Sequence, residues 1–129
     1  MKTLRSCRES GFSLLELMVV VTIIAILAAI ALPQFAAYRK QGYQAAVRSD
    51  LKNAATAQEA YYAAHDRYQG ETPLTATNLP GFARTDPVNV SVVVPSPSQF
   101  RLTATHVNCG ATTWSYDSLI GVVTNPGCP

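Results

Sequence analysis

Charge is scarce in this chain, and its distribution matters more than its amount. Between Leu17 and Tyr38 no Asp, Glu, Lys or Arg occurs, and most positions are Val, Ile, Leu or Ala. As a helix, such a run extends about 33 Å at ~1.5 Å per residue, enough to cross a hydrocarbon core of about 30 Å. Net charge is scarce as well. The chain has ten basic and eight acidic residues, a formal +2. Residues 1–11 hold Lys2, Arg5, Arg8 and Glu9, so residues 12–129 carry seven of each sign. That balance, with no basic stripe, gives a nucleic-acid partner no support. Near-neutrality beyond residue 11 suits close packing of many copies, because self-repulsion is small.

Chemistry-bearing clusters are equally sparse. His65 with Asp66, and His106 far along the chain, lack metal-ligand spacing. There is no Gly-rich phosphate loop and no nucleophile–base pair that the sequence singles out. No catalytic residue, no cofactor and no metal site is therefore expected. Asn89-Val90-Ser91 fits a glycosylation sequon, but it falls in an expected strand and the tripeptide is common by chance. With 129 residues there is room for one domain beside the apolar run.

Cysteine is rare and odd in number: Cys7, Cys109 and Cys128. If residues 1–11 are removed, one pair remains near the C-terminus. A Cys109–Cys128 disulfide implies an oxidising compartment and contributes about 3 kcal/mol by loop-closure arithmetic. The alternative is two unpaired buried cysteines.

Along the chain, residues 1–10 are short, polar and basic, like the cytoplasmic flank of a membrane segment. The apolar run follows directly. From Gln34 to about His65 the sequence still favours helix, rich in Ala with few β-branched residues. Here the apolar positions become one-sided: Val47, Leu51, Ala54, Tyr61, Tyr62 and His65 keep helical spacing. A helix over about 13–65 is roughly 78 Å long, far more than a small domain needs, so its first half must find burial elsewhere. Tyr68–Pro87 reads as a loop zone punctuated by Gly70, Pro73, Pro80 and Gly81. Strands are expected at Val88–Val94 and Gln99–Val107, joined by Pro95-Ser96-Pro97-Ser98, and at Thr112–Tyr116 and Ile120–Thr124. In the second strand Phe100, Leu102 and Ala104 form the inward face. The fold class is α+β: a long N-terminal helix with an antiparallel sheet of three or four strands packed on its second half.

Gly11-Phe12-Ser13-Leu14-Leu15-Glu16-Leu17, then an apolar run and Pro33, resembles the prepilin signature of type IV pilins and pseudopilins. The detailed match covers about residues 5–45, and the C-terminal part resembles the family in plan only. The resemblance implies a leader at 1–11, an apolar membrane and filament-core helix at 12–38, and a globular part at 39–129. It implies cleavage after Gly11 by a prepilin peptidase and N-methylation of the new first residue, Phe12. Glu16 is implied to set register against a neighbouring copy, and Pro33 to mark where the helix can loosen. Implied partners are identical subunits, the membrane before assembly, and the peptidase with the assembly machinery. The implied location is the bacterial inner membrane, then a filament outside it.

Glu16 has a physical reading of its own. A carboxylate among apolar residues costs roughly 2.5–3.5 kcal/mol on insertion scales, and no Lys or Arg lies three or four positions away. Once the chain is cut, the nearest cation is the Phe12 amine, of the same copy or of an adjacent one. Phe35 and Tyr38 suit interfacial anchoring, while Tyr43, Tyr61, Tyr62 and Tyr68 suit packing against the sheet. Three alternatives stay open. One is a pseudopilin of a type II secretion system, or a minor pilin. Another is an uncut membrane-anchored binding module. The third is a secreted domain released after Ala31, where Ala28-Ala29-Ile30-Ala31 resembles a signal-peptidase site.

Overall fold

The computed structural model describes residues 11–129; the residues before Gly11, Cys7 among them, lie outside the described residues. A single helix, α1, occupies Leu14–His65, 52 residues. Four strands follow: β1 (Val88–Ser96), β2 (Gln99–His106), β3 (Thr113–Asp117) and β4 (Val122–Thr124). They form one antiparallel sheet in the order β1-β2-β3-β4, a meander. The α+β architecture expected from the sequence is the one observed. The chain divides into two units, one ending at Ala36 and the other spanning Ala37–Pro129.

In the second unit the helix turns one face to a core. Val47, Leu51 and Ala54 are buried, as their spacing predicts. Val88, Val90 and Val92 of β1 alternate inward, as do Phe100, Leu102 and Ala104 of β2, with Trp114 from β3. Truncating one such side chain, for example Leu51→Ala, costs about 2–5 kcal/mol. The inner helix face is less apolar than its pattern suggests: Asp50 and Gln58 are buried there too. His65, expected on that face, is exposed and stacks on Tyr61 at 4.1 Å between ring centroids. The helix ends where Asp66 takes a left-handed φ of 56° and donates its N–H to the Tyr62 carbonyl at 2.8 Å.

Boundaries shift where a local rule meets tertiary context. β1 runs through Pro95 to Ser96, beyond the expected Val94. It is an edge strand, and the register slips between Val93 and Ser96, which accommodates a proline without a ladder N–H. β4 begins at Val122, two residues later than expected, because Leu119 and Ile120 belong to the preceding turn. Residues 66–87 are irregular, as their Gly and Pro content predicts, yet Leu74, Leu79 and Phe82 anchor them in the core. Two buried polar residues tie this loop to α1. Gln58 Nε2 donates to the Gln69 carbonyl at 2.8 Å while its Oε1 accepts the Gln69 N–H at 2.9 Å. The Asp50 carboxylate accepts the Thr85 N–H at 2.7 Å and the Thr85 hydroxyl at 2.9 Å.

Candidate functional site

At the head of α1, Ser13 and Glu16 satisfy each other. Glu16 Oε2 accepts the Ser13 N–H at 2.9 Å, and Ser13 Oγ accepts the Glu16 N–H at 3.2 Å. This is a capping box: two of the amide donors that every helix N-terminus leaves unpaired are matched by two side chains. The anionic carboxylate also sits at the positive end of the helix dipole. The sequence reading considers only a cation as a partner for Glu16; Ser13 adds a neutral one within the chain. The signal was present as Ser-x-x-Glu immediately before an apolar run.

Phe12 precedes the cap and is 86% exposed. Gly11 is exposed as well, and a Cβ added there would meet no atom within 4 Å. No described residue crowds this position.

Beyond the cap, the large apolar side chains from Leu14 to Phe35 are exposed on every side of the helix. By length and composition this segment can cross a membrane. A helix apolar all round is one that is buried by lipid or by other helices. Thr22 fits such surroundings because its hydroxyl donates to the Met18 carbonyl at 2.8 Å, leaving no polar hydrogen unpaired. Pro33 lies inside α1, which continues through it. Without an N–H it leaves the Ala29 carbonyl no α-helical donor, so the ladder lacks one bond there.

At the other end of the sequence, Cys109 and Cys128 are joined by a disulfide with Cα atoms 4.9 Å apart. It ties the short 3₁₀ turn Val107–Cys109, after β2, to the C-terminal tail. The tail is also held by Trp114, whose Nε1 donates to Asn125 Oδ1 at 2.6 Å. The alternative of two unpaired cysteines is set aside.

The remaining sequence candidates fall into structural roles. His106 is buried, stacks on Tyr43 at 4.5 Å and accepts the Asn108 N–H through Nδ1 at 3.1 Å. Arg39 in turn donates to the Tyr43 hydroxyl, 2.6 Å from Nη2. Tyr68 packs between Tyr62 and Phe100, at 4.6 and 4.7 Å. Asn89 lies on β1 as expected, and its Oδ1 accepts from Arg84. Among the described residues no group of three or more His, Cys, Asp or Glu is placed to hold a metal ion.

Comparison with known proteins points to the same segment. Residues 6–32 match the family described as the prokaryotic N-terminal methylation motif. The chain is similar to the type IV wide pilus major component PilA4 of Thermus thermophilus, 35% identical over 107 residues, covering 81% of this chain and 77% of that one. It is similar to the type IV major pilin protein PilA of Myxococcus xanthus, 46% identical over 61 residues, 47% of this chain but only 28% of that one. It is also similar to the type II secretion system core protein G of Aeromonas hydrophila, 32% identical over 94 residues, covering 73% and 59% of the two chains.

Proposed function

The chain belongs to the type IV pilin family, and from that premise we propose that it is a membrane-inserted precursor, cut after Gly11 and assembled as a structural filament subunit. The observation that carries this is the first half of α1, apolar on all sides and exposed along its length, directly behind Phe12 and Glu16. Hydrolysis of the Gly11–Phe12 peptide bond leaves a carboxylate on Gly11 and an amine on Phe12, which is then N-methylated. An exposed Gly11 that no described residue crowds supports access of a peptidase to the cut. Cleavage also removes the net positive charge and the odd cysteine.

Before assembly the 12–38 segment rests in the inner membrane; afterwards it packs against the same segment of other copies, with residues 39–129 forming the polar part of each subunit. In hydrocarbon, helices gain little from apolar burial, so packing and polar contacts decide their docking. Glu16 is suited to that task. Ser13 holds Oε2, and Oε1 has no hydrogen-bond partner among the described residues. We assign Oε1 to the Phe12 amine of an adjacent copy, an ion pair whose loss in any other register leaves a desolvated charge. Pro33, where one backbone bond is missing, is the point at which the helix loosens as copies pack. The partners that this reading needs are identical copies, the peptidase and an assembly machine.

N-terminal mass analysis of the mature protein is the test. A chain beginning at Phe12 with one added methyl group supports the reading; one beginning at Met1 or Leu32 overturns it. The similarity to a type II secretion core protein favours a second reading, a pseudopilin. Electron microscopy separates the two: long surface fibres mark a pilin, and their absence despite abundant processed subunit marks a pseudopilin or minor pilin.

A further inference from the structure

Beyond residue 11 the charges balance in number but not in place. Where α1 enters the second unit, residues 37–52 hold Arg39, Lys40, Arg48 and Lys52 against Asp50 alone. Asp50 is buried and occupied by Thr85. Residues 53–129 hold five acidic residues against three basic ones. The four cations spread around the helix rather than along one face, at ~100° per residue. They are also out of place for a membrane segment. Lys and Arg gather on the cytoplasmic flank of such a helix and thin out on the other. Here the far flank holds four, and residues 1–11 hold three.

Arg39 and Lys40 come first after Tyr38, and both are exposed. Arg39 is held to the second unit: Nε and Nη2 donate to the Tyr43 hydroxyl at 3.1 and 2.6 Å, and Tyr43 stacks on the buried His106. A guanidinium has five N–H donors, so others stay available. Lys40 precedes Val47 by seven positions, on the face that the core continues. Neither cation joins an ion pair among the described residues. Asp86, close before the β1 residue Val88 that pairs with His106, is answered by Arg84 at 3.9 Å. Val107 follows His106 and is 68% exposed at this same end. Unpaired cations, a tyrosine and an exposed aliphatic together suit the boundary of a bilayer. We propose that this end of the second unit docks on anionic phospholipid headgroups before assembly, Arg39 and Lys40 donating to phosphates and Val107 entering the boundary. Chain continuity and charge name the occupant. Along the helix, Lys40 lies about 3 Å beyond Tyr38, inside a Debye length of ~8 Å; Lys52, about 21 Å beyond, lies outside it. The same surface repels the acidic remainder, which keeps the unit standing on one end. The inference rests on the reading that the 12–38 segment lies in the membrane.

The test uses the full chain as Cys7→Ser/Val107→Cys, labelled at position 107 with an environment-sensitive fluorophore. The native pair Cys109 and Cys128 is already bonded. The labelled chain is reconstituted at high lipid dilution into vesicles of phosphatidylcholine, alone or mixed with phosphatidylglycerol. Quenching by lipids spin-labelled near the headgroup is expected in the mixed vesicles, and to fade in high salt or in phosphatidylcholine alone. Arg39→Gln and Lys40→Gln should each weaken docking about fivefold, equivalent to ~1 kcal/mol per basic residue near a charged surface. Lys52→Gln should leave it unchanged. Lys40→Gln has no ion pair to lose, so its effect is not one of folding. Equal quenching in both vesicle types, or full quenching in Arg39→Gln/Lys40→Gln, overturns the inference while the membrane reading stands. Quenching that depends on protein density rather than lipid charge makes a second copy the occupant and overturns it too. A chain that alkaline carbonate extracts from the vesicles removes the membrane reading, and the inference with it.

Discussion

Ser13 and Glu16 close a reciprocal pair of hydrogen bonds at the start of α1, at 2.9 and 3.2 Å, so the one acidic residue between Phe12 and Ala36 is held before any neighbour arrives. The cap and the proposed ion pair use the same carboxylate, and three substitutions separate them. Glu16→Gln keeps the cap, since an amide oxygen accepts the Ser13 N–H equally well, but it removes the charge. Ser13→Ala removes the hydroxyl half of the cap, at about 1 kcal/mol, and keeps the charge. Filament yield is expected to fall at least tenfold for Glu16→Gln and Glu16→Ala, and no more than about threefold for Ser13→Ala. Sheared pili quantified by immunoblot, with processing followed by mass spectrometry, give the answer. Wild-type assembly by Glu16→Gln reduces Glu16 to a capping residue.

The same residues show how far the sequence could be read. Periodicity exposed the long helix, its change from all-round to one-sided apolarity near Tyr38, and the alternating Phe100, Leu102 and Ala104, because burial acts on side-chain spacing and spacing is written in the chain. What escaped was pairing across distance. Nothing local announces that Asp50 will accept from Thr85 or Gln58 from Gln69, and both read as solvent-facing until the loop folds over them. Leu74, Leu79 and Phe82 were hidden for a similar reason: in a Pro- and Gly-rich segment they have no period to mark them. Ile120 looked like the start of a strand because β propensity cannot tell a pleat from a clamped turn. The capping box, by contrast, is written locally, as Ser13 and Glu16 at Ser-x-x-Glu spacing ahead of the apolar run.

Gln58 makes one of the long-range ties between α1 and the loop. Its amide, itself fully buried, exchanges two hydrogen bonds with the backbone of the half-buried Gln69. Gln58→Leu preserves volume but strands a carbonyl and an N–H, at about 1–3 kcal/mol each. Limited proteolysis is expected to cut within residues 66–87 at least ten times faster in this variant, with α1 intact by circular dichroism. An unchanged cleavage rate would mean that Leu74, Leu79 and Phe82 hold the loop unaided.

The disulfide acts on the unfolded chain. Cys109 and Cys128 are 19 residues apart, and opening that loop restores entropy to the denatured ensemble worth about 3 kcal/mol. Cys109→Ser/Cys128→Ser in the detergent-solubilised full chain is therefore expected to lower the guanidinium midpoint of unfolding by roughly that free energy divided by the m-value. A shift corresponding to less than about 1 kcal/mol would indicate that the Trp114–Asn125 contact already fixes the tail.

Asp117 makes the β3–β4 turn sensitive to acid. The Leu119 N–H it accepts, and then the Arg101 guanidinium, hold its carboxyl below the ordinary aspartate range. A carboxyl with a lowered folded-state pKa stabilises above its unfolded value, near 3.9. That contribution is lost as pH falls through the lower folded value. Amide exchange at Leu119 and Ile120 is thus expected to stay protected, after correction for intrinsic rates, from neutral pH to about 4. It should then lose protection as the pH drops further. Asp117→Asn keeps a side-chain oxygen for the Leu119 N–H but gives up the charge-assisted bond to Arg101, so it should be less protected at neutral pH and show no acid step. If the wild-type turn remains protected through the acid range, Ser118 and Phe100 hold it without Asp117, and the rigidity of the β3–β4 turn does not depend on charge.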